Sequence, residues 1–295
     1  MDYGVCLPFG PGSSIEAVDA AAETAERLGW RDVWVTDHLL VDRADAADYG
    51  RITEAITTLA YLAGRTSRVR LGASVIVVPP RNAVILAKEM ATVDVASRGR
   101  LIAGVGVGWS EREFANLGMS ERHGVRGVYT DEAVTLWRHL WSGSEEPFRG
   151  RFHAFENFAF GPLPPQGAAL PIWFGGRDPR ALERVGRLAD AYHSSATPPA
   201  KYADRIPLIR AAAEAAGRPM PRLSARVRVR LDEAESAGDG FYAMRGSAED
   251  VAREISAFAA LGVDHLALSF REVDPDSVAR AMERFAAEVR PLLRV

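Results

Sequence analysis

Arg31-Asp32-Val33-Trp34-Val35-Thr36-Asp37-His38 decides how the rest of the chain is read. Side chains alternate along a strand, so Val33, Val35 and Asp37 point to one face and Trp34, Thr36 and His38 to the other. The aliphatic set suits a layer beneath helices. The Trp34/Thr36/His38 set then looks inward. In a parallel barrel, His38 falls at the C-terminal mouth, where barrel enzymes carry their chemistry.

The same rhythm repeats outward from this strand. Strands are expected at 3–8, 32–37, 69–78, 101–108, 171–174, 190–194, 223–231 and 263–270. Helices are expected at 15–28, 53–63, 82–96, 129–141, 179–188, 202–216 and 247–261. A last helix carries Val278, Met282, Phe285 and Val289 at helical spacing. Strict α/β alternation predicts an all-parallel sheet, and eight units predict closure into a (β/α)8 TIM barrel. The alternative is an open doubly wound sheet. Its dinucleotide fingerprint is missing, because Gly10-Pro11-Gly12 lacks a third glycine and a suitably spaced acidic residue.

One stretch breaks the rhythm. Residues 109–170 are too long for a single loop of a compact barrel. They include Phe148-Arg149-Gly150-Arg151-Phe152-His153-Ala154-Phe155, whose aromatic–polar alternation reads as a β-ribbon. The stretch is expected to be an insertion after the fourth strand, at the mouth of one domain covering 1–295. The polar, irregular residues 39–50 are also expected to cover the mouth.

The chain has 295 residues, 47% hydrophobic and 25% charged, which is ordinary for a soluble globular protein with a large core. Its net charge of −3 suggests no nucleic-acid or membrane surface. The single cysteine, Cys6, excludes an intrachain disulfide and a cysteine-rich metal site, and reads as a buried core thiol. No apolar run approaches membrane-spanning length and no signal pattern opens the chain, so a cytoplasmic protein is expected.

Several features bear on chemistry. His38 brings an imidazole, a side chain that can both give and take a proton. Alternatively, Asp37-His38 is a cap and a structural histidine at a strand end. Gly72, Ala73 and Ser74 are small residues in a strand otherwise built of large ones, which marks a bulge, a close ligand approach or simple packing. Gly104, Gly106 and Gly108 bare one face of the fourth strand, to receive a flat ring or to fill a tight barrel interior. Gly175-Gly176-Arg177 before a helix makes an anion site or an ordinary turn. His193 lies near a C-terminal strand end, His265 at a strand start. No pair of histidines or carboxylates has metal-ligand spacing, so no metal is expected.

With Asp37-His38, the block LGASVIVVPPRNAVILAKEMATVDVASRGRLIAGVGVGW (71–109), PIWFGG (171–176) and GVDHLALSF (262–270) in this order, the chain resembles the bacterial luciferase-like family. The resemblance implies a barrel enzyme, usually a homodimer, that uses FMN or the deazaflavin coenzyme F420, and the F420-using branch is the better match. It implies a non-proline cis peptide at Ser74-Val75 behind the ring, with Asp37 and His38 near the reactive face. Gly106, Gly108, Gly175, Gly176 and Arg177 match regions that hold the ring and its phosphate. Sugar-phosphate dehydrogenases of the family carry a glutamate proton donor where this chain has Trp109, which points to an apolar or aromatic substrate contacting Trp109 and His193. Arg177, Arg226 and Arg228 are available to a polyanionic tail. The implied activity is hydride transfer between F420 and a small organic molecule. The alternatives are an FMN-dependent monooxygenase served by a separate reductase, and a non-catalytic flavin-binding protein.

Overall fold

A computed structural model describes residues 1–233 and 241–293. Eight parallel strands close on themselves: β1 (Asp2–Cys6), β2 (Asp32–Val35), β3 (Arg70–Ala73, continued by Ile76–Val77), β4 (Leu101–Gly106), β5 (Ile172–Phe174), β6 (Ala191–Ser195), β7 (Arg222–Leu231) and β8 (His265–Ser269). The register passes from Val5 beside Val33 to Val33 beside Leu71, and it closes with Val5 beside Leu268. The doubly wound alternative is thereby excluded, since an open sheet has no such closing pair. The upper half of β7 extends beyond the barrel and pairs with the short strand Ala243–Gly246.

Helices α1 (Ile15–Arg27), α2 (Ala55–Arg65), α3 (Ala83–Ala96), α4 (Ser120–Trp141), α5 (Pro179–Leu188), α6 (Ile206–Ala215), α7 (Ala248–Ala260) and α8 (Pro275–Arg284) surround the sheet. Their starts are chemically set. Ser14, Glu54, Asn82, Asp178, Ser247 and Asp274 each accept a hydrogen bond from a first-turn N–H that has no helical partner.

Of the stretch 109–170, residues 120–141 form α4, which packs against α3 and α5 in the helical layer. Its apolar stripe begins at Tyr129, as expected from sequence. The first turns are polar and carry no such signal. The ribbon exists, Phe148–Arg149 against Ala154–Phe155. Its tip hangs on α4, where the Glu132 carboxylate accepts from the Phe152 and His153 N–H groups (2.9 and 2.8 Å).

Two cores result. The larger one lies between strands and helices. The smaller fills the barrel with Cys6, Trp34, Ile102, Trp173, Ala191 and Ala267. Trp34 is its centre, fully buried and stacked on His193 at 4.6 Å. Glycines make room for the indole: a Cβ on Gly72 would stand 2.5 Å from the Trp34 ring, and one on Gly4 2.7 Å from its Nε1.

Candidate active site

His38 stands at the mouth where β2 ends. Its Nδ1 lies 2.9 Å from Glu113 Oε2. Glu113 belongs to a short helix, Glu111–Asn116, that follows β4. The same carboxylate accepts from the Leu39 N–H (2.6 Å) and the Leu40 N–H (3.3 Å). Glu113 thus occupies one imidazole nitrogen and leaves Nε2 as the atom available for proton exchange. Burial works against the charged carboxyl. The His38 ring and the two backbone N–H groups outweigh it and hold Glu113 below the ordinary glutamate range. It is an acceptor, and orients His38.

Glu113 was absent from the sequence-based reading. The available signal was Ser110 three residues earlier, and Ser110 does accept from the Glu113 N–H (3.3 Å). That pattern alone describes a helix cap. Glu113→Gln is expected to cost about 1–3 kcal/mol of stability, the worth of hydrogen bonds to a buried charge. Because the folded pKa is depressed, the carboxylate's contribution is complete above the unfolded value near pH 4.5 and is lost as pH falls through the lower folded one. Urea unfolding at pH 7 should separate wild type from variant clearly, and at pH 3 the gap should have narrowed.

Asp37 turns the other way. It is buried, with Oδ2 accepting from the Val77 N–H (2.8 Å) and Oδ1 from Arg81 (2.8 Å). Burial pushes its carboxyl up against the pull of the Arg81 guanidinium. Both oxygens are committed to tying β2 to β3, so Asp37 does not face the mouth; the alternation that aims His38 inward aims Asp37 outward.

The Ser74-Val75 peptide is cis. Val75 rests between two glycines: a Cβ on Gly106 would lie 2.5 Å from its side chain and one on Gly175 3.3 Å. The fourth strand is therefore not a bare face. A Cβ on Gly104 would meet the Ala73 carbonyl at 1.7 Å, and one on Gly108 would meet Val77 at 2.7 Å and Phe114 at 2.9 Å. These glycines receive protein atoms, and Gly106 and Gly175 leave the room in which Val75 sits, so that Ser74-Val75 forms a small-residue platform where β3 ends.

Gly176 takes a φ of +135° that suits glycine, and its carbonyl accepts from the Tyr192 hydroxyl (3.0 Å). Arg177 is exposed beside it. Asp178 already caps the Ala181 N–H (3.1 Å) and Pro179 has no N–H, so an anion here would meet the Arg177 guanidinium more than the helix end. Arg226 is not available to a distant tail: it donates to the Ser74 carbonyl (2.8 Å) and lies over Phe9. Arg228 lies over Phe241.

Trp109 is 55% exposed and packs edge-on to His38 at 5.7 Å, with Tyr49 4.6 Å from the same histidine. Beside them a cavity of about 310 Å³ is lined by His38, Leu39, Leu40, Val41, Arg43, Ala46, Tyr49, Gly50 and Ile52. Residues 39–50, expected as an irregular cover, supply most of this wall through the turn Arg43–Asp45 and the single helical turn Ala46–Tyr49. His193 is elsewhere. It is buried inside the barrel beneath Ser74, where it cannot meet a substrate at the mouth. Among the described residues, no three His, Cys, Asp or Glu side chains group as metal ligands, and no helix is long and apolar enough to cross a membrane.

The parallel barrel closes on itself, and His38, held by the Glu113 carboxylate, stands where β2 ends, the arrangement of a barrel enzyme. The chain belongs to the family described as luciferase-like monooxygenase, whose profile matches residues 1–244. It is 30% identical over 227 residues to an F420-dependent glucose-6-phosphate dehydrogenase of Nakamurella multipartita, covering 76% of this chain and 64% of that protein. It is 34% identical over 252 residues to a phthiodiolone/phenolphthiodiolone dimycocerosates ketoreductase of Mycobacterium sp. (strain JLS), covering 73% of this chain and 63% of that protein. The chain thus spans less than two thirds of the length of either relative. Among solved structures, an F420-dependent secondary alcohol dehydrogenase in complex with an F420-acetone adduct superposes with a TM-score of 0.83 at 21% identity, over 100% of this chain and 99% of that one.

Proposed function

We propose that the protein is an F420-dependent oxidoreductase that moves a hydride between the deazaflavin and a small apolar or aromatic substrate. The observation that carries the reading is His38: its Nδ1 is held by Glu113, and its ring, flanked by Tyr49 and Trp109, borders a cavity walled by residues 39–52. The residues present fit a flat ring. Gly106 and Gly175 leave room for Val75, which any Cβ there would crowd. When bound, a deazaflavin supplies a two-electron hydride carrier. The chain's own residues do the rest. Ser74 and Val75 support the ring, and Gly176 with Arg177 meets its phosphate. Tyr49, Trp109, Leu39 and Leu40 exclude water from an apolar substrate. His38 Nε2 takes or gives the proton at the substrate oxygen. The F420-dependent relatives support this cofactor.

Trp109 stands directly after the strand-4 glycines, and Glu113 is spent on His38 and two backbone N–H groups. The site therefore favours an apolar alcohol or carbonyl compound over a sugar phosphate. A homodimer in the cytoplasm remains part of the proposal. Titration with reduced F420 and with reduced FMN, followed by fluorescence, tests the reading. Micromolar or tighter binding of F420 with weaker FMN binding is expected, and the reverse preference would move the protein to the oxygen-using reading with its separate reductase. Binding without turnover of any alcohol or ketone would favour the non-catalytic one. Arg177→Ala should weaken cofactor binding about tenfold, about 1.4 kcal/mol, and flatten its salt dependence. Indifference of binding to Arg177 places the phosphate elsewhere.

A further inference from the structure

Beneath the platform runs a chain of polar groups that His38 chemistry does not use. Ser74 Oγ lies 2.9 Å from His193 Nε2. His193 Nδ1 lies 2.8 Å from Ser224 Oγ. Ser224 Oγ lies 2.7 Å from His265 Nδ1. His265 Nε2 lies 2.8 Å from Asp32 Oδ1, which also accepts from Trp34 Nε1 (2.6 Å), while Asp32 Oδ2 accepts from Arg70 (2.9 Å). His193, Ser224, His265 and Asp32 are 0–1% exposed, and only Ser74, at 8%, approaches the mouth. Four strands and the end of β3 contribute one group each, on inward positions.

We propose that Ser74, His193, Ser224 and His265 form a proton relay through the barrel interior, anchored by Asp32, that exchanges one proton with a group bound at the mouth over Ser74. Hydrogen-bond chemistry gives this chain two self-consistent states. In the first, His265 is neutral with its proton on Nε2 toward Asp32. Its Nδ1 accepts from Ser224, which accepts from His193 Nδ1–H, whose Nε2 accepts from Ser74. Ser74 Oγ then offers a lone pair to the mouth. In the second, every shared proton has moved one place inward. A group at the mouth gives its proton to Ser74 Oγ, and Ser74 passes its own to His193 Nε2. His193 passes its Nδ1 proton to Ser224, and Ser224 passes its own to His265 Nδ1. The mouth group has lost one proton, His265 has become an imidazolium paired with the Asp32 carboxylate, and no electrons have moved. Reversal delivers the proton back. Asp32 stays ionised throughout, as the carboxylate behind a catalytic histidine does. It is a positioning residue.

The surroundings suit a store at the far end of the chain and a neutral relay in its middle. The His265 side chain meets Asp32, Ser224 and the Trp34 and Trp173 rings. His193 meets Ser74, Ser224 and the same two indoles, under the field of Arg226. Burial holds its pKa well below the ordinary histidine value, with the charges of His265 and Arg226 adding to the effect. His38 serves the proton at the substrate oxygen; a ring that gains or loses a hydride exchanges a proton of its own, and the relay gives that second proton a path that does not open the mouth to water.

This inference rests on the reading of the mouth as a redox cofactor site, so its first test uses cofactor-free protein. In histidine-labelled wild type, 15N spectra over a pH series should show His193 changing tautomer at the pH where His265 gains its proton. In Ser224→Ala that coupling should vanish. Rings that change independently in the wild type, or coupling that survives Ser224→Ala, overturn the relay. The second test is turnover. Ser224→Ala should slow kcat at least about tenfold with cofactor Kd within about twofold and a changed D2O isotope effect, and Ser224→Thr, which keeps the hydroxyl, should restore most of both. Unchanged kcat and isotope effect in Ser224→Ala refute it even where the spectra couple. If Ser224→Ala does not fold, Ser74→Ala decides. It cuts only the entrance, so it should retain the His193–His265 coupling and lose the isotope effect; retention of the isotope effect refutes the relay. Absence of turnover with either cofactor defeats the proposed function alone, and leaves the spectral test standing.

Discussion

His38→Ala should lower turnover at least about 100-fold while cofactor affinity stays within about twofold. The expectation follows from where the ring sits. His38 is held by one nitrogen through Glu113, and its flanks meet the Tyr49 and Trp109 rings, Tyr49 itself lining the neighbouring cavity. The platform of Ser74 and Val75 lies on other strands, so truncating His38 removes a proton-exchanging group without disturbing the support for a ring. Steady-state kinetics with the accepted substrate, together with a cofactor titration, checks both halves. Unchanged turnover would take His38 out of the mechanism. A parallel loss of cofactor affinity would make it a binding residue instead.

Gly104→Ala should be strongly destabilising, costing at least about 3 kcal/mol, at the upper end of what overpacking does. The added Cβ would stand 1.7 Å from the Ala73 carbonyl carbon's oxygen, a backbone atom that cannot swing aside, and 3.4 Å from Trp34. Neighbouring strands β3 and β4 would have to separate. For a chain of this size each kcal/mol moves the melting temperature by about 2–4 °C. Gly124→Ala is the matched control. Gly124 lies in α4 with nothing within 4 Å of the new methyl group, so the gain in helix propensity should raise stability by about 0.5–1 kcal/mol. A Gly104 variant that melts like the wild type would show that the barrel interior has slack it is not built with.

The fold was largely written in local pattern. The alternation of Val33, Trp34, Val35, Thr36 and Asp37 gave the inward and outward faces of β2, and Trp34 does fill the barrel. The helices expected at 15–28, 82–96, 179–188 and 247–261 start within a residue of where the pattern put them. The start of α4 at Ser120 lies well before the expected 129, because Met119 offers no side-chain cap and the first turns lack an apolar stripe. The site was legible in part. His38 and the cis bond at Ser74 fall where the pattern and the family resemblance put them. Glu113 did not show itself, because its bond to His38 joins residues 75 apart in the chain and exists only after the barrel closes. His193 was misplaced for a related reason. A position near a strand's end does not say whether the side chain rises from the mouth or sinks beneath it, and here it sinks under Ser74. The strand-4 glycines show the same ambiguity. A missing side chain in sequence looks alike whether a ligand or the neighbouring strand fills the space, and the Ala73 carbonyl, Val75 and Val77 fill it.

The triple engagement of Glu113 with His38, Leu39 and Leu40 has a kinetic consequence. One carboxylate both holds His38, the proposed acid–base group, and fastens the start of the segment that walls the cavity proposed for the substrate. Undocking that segment to admit or release a molecule would break the Leu39 and Leu40 bonds and loosen the His38 bond together. Reactive geometry and a shut cavity then belong to a single population, and the open population is chemically idle. Turnover would be gated by that equilibrium, so substitutions in residues 39–50 that never touch a substrate should still change kcat.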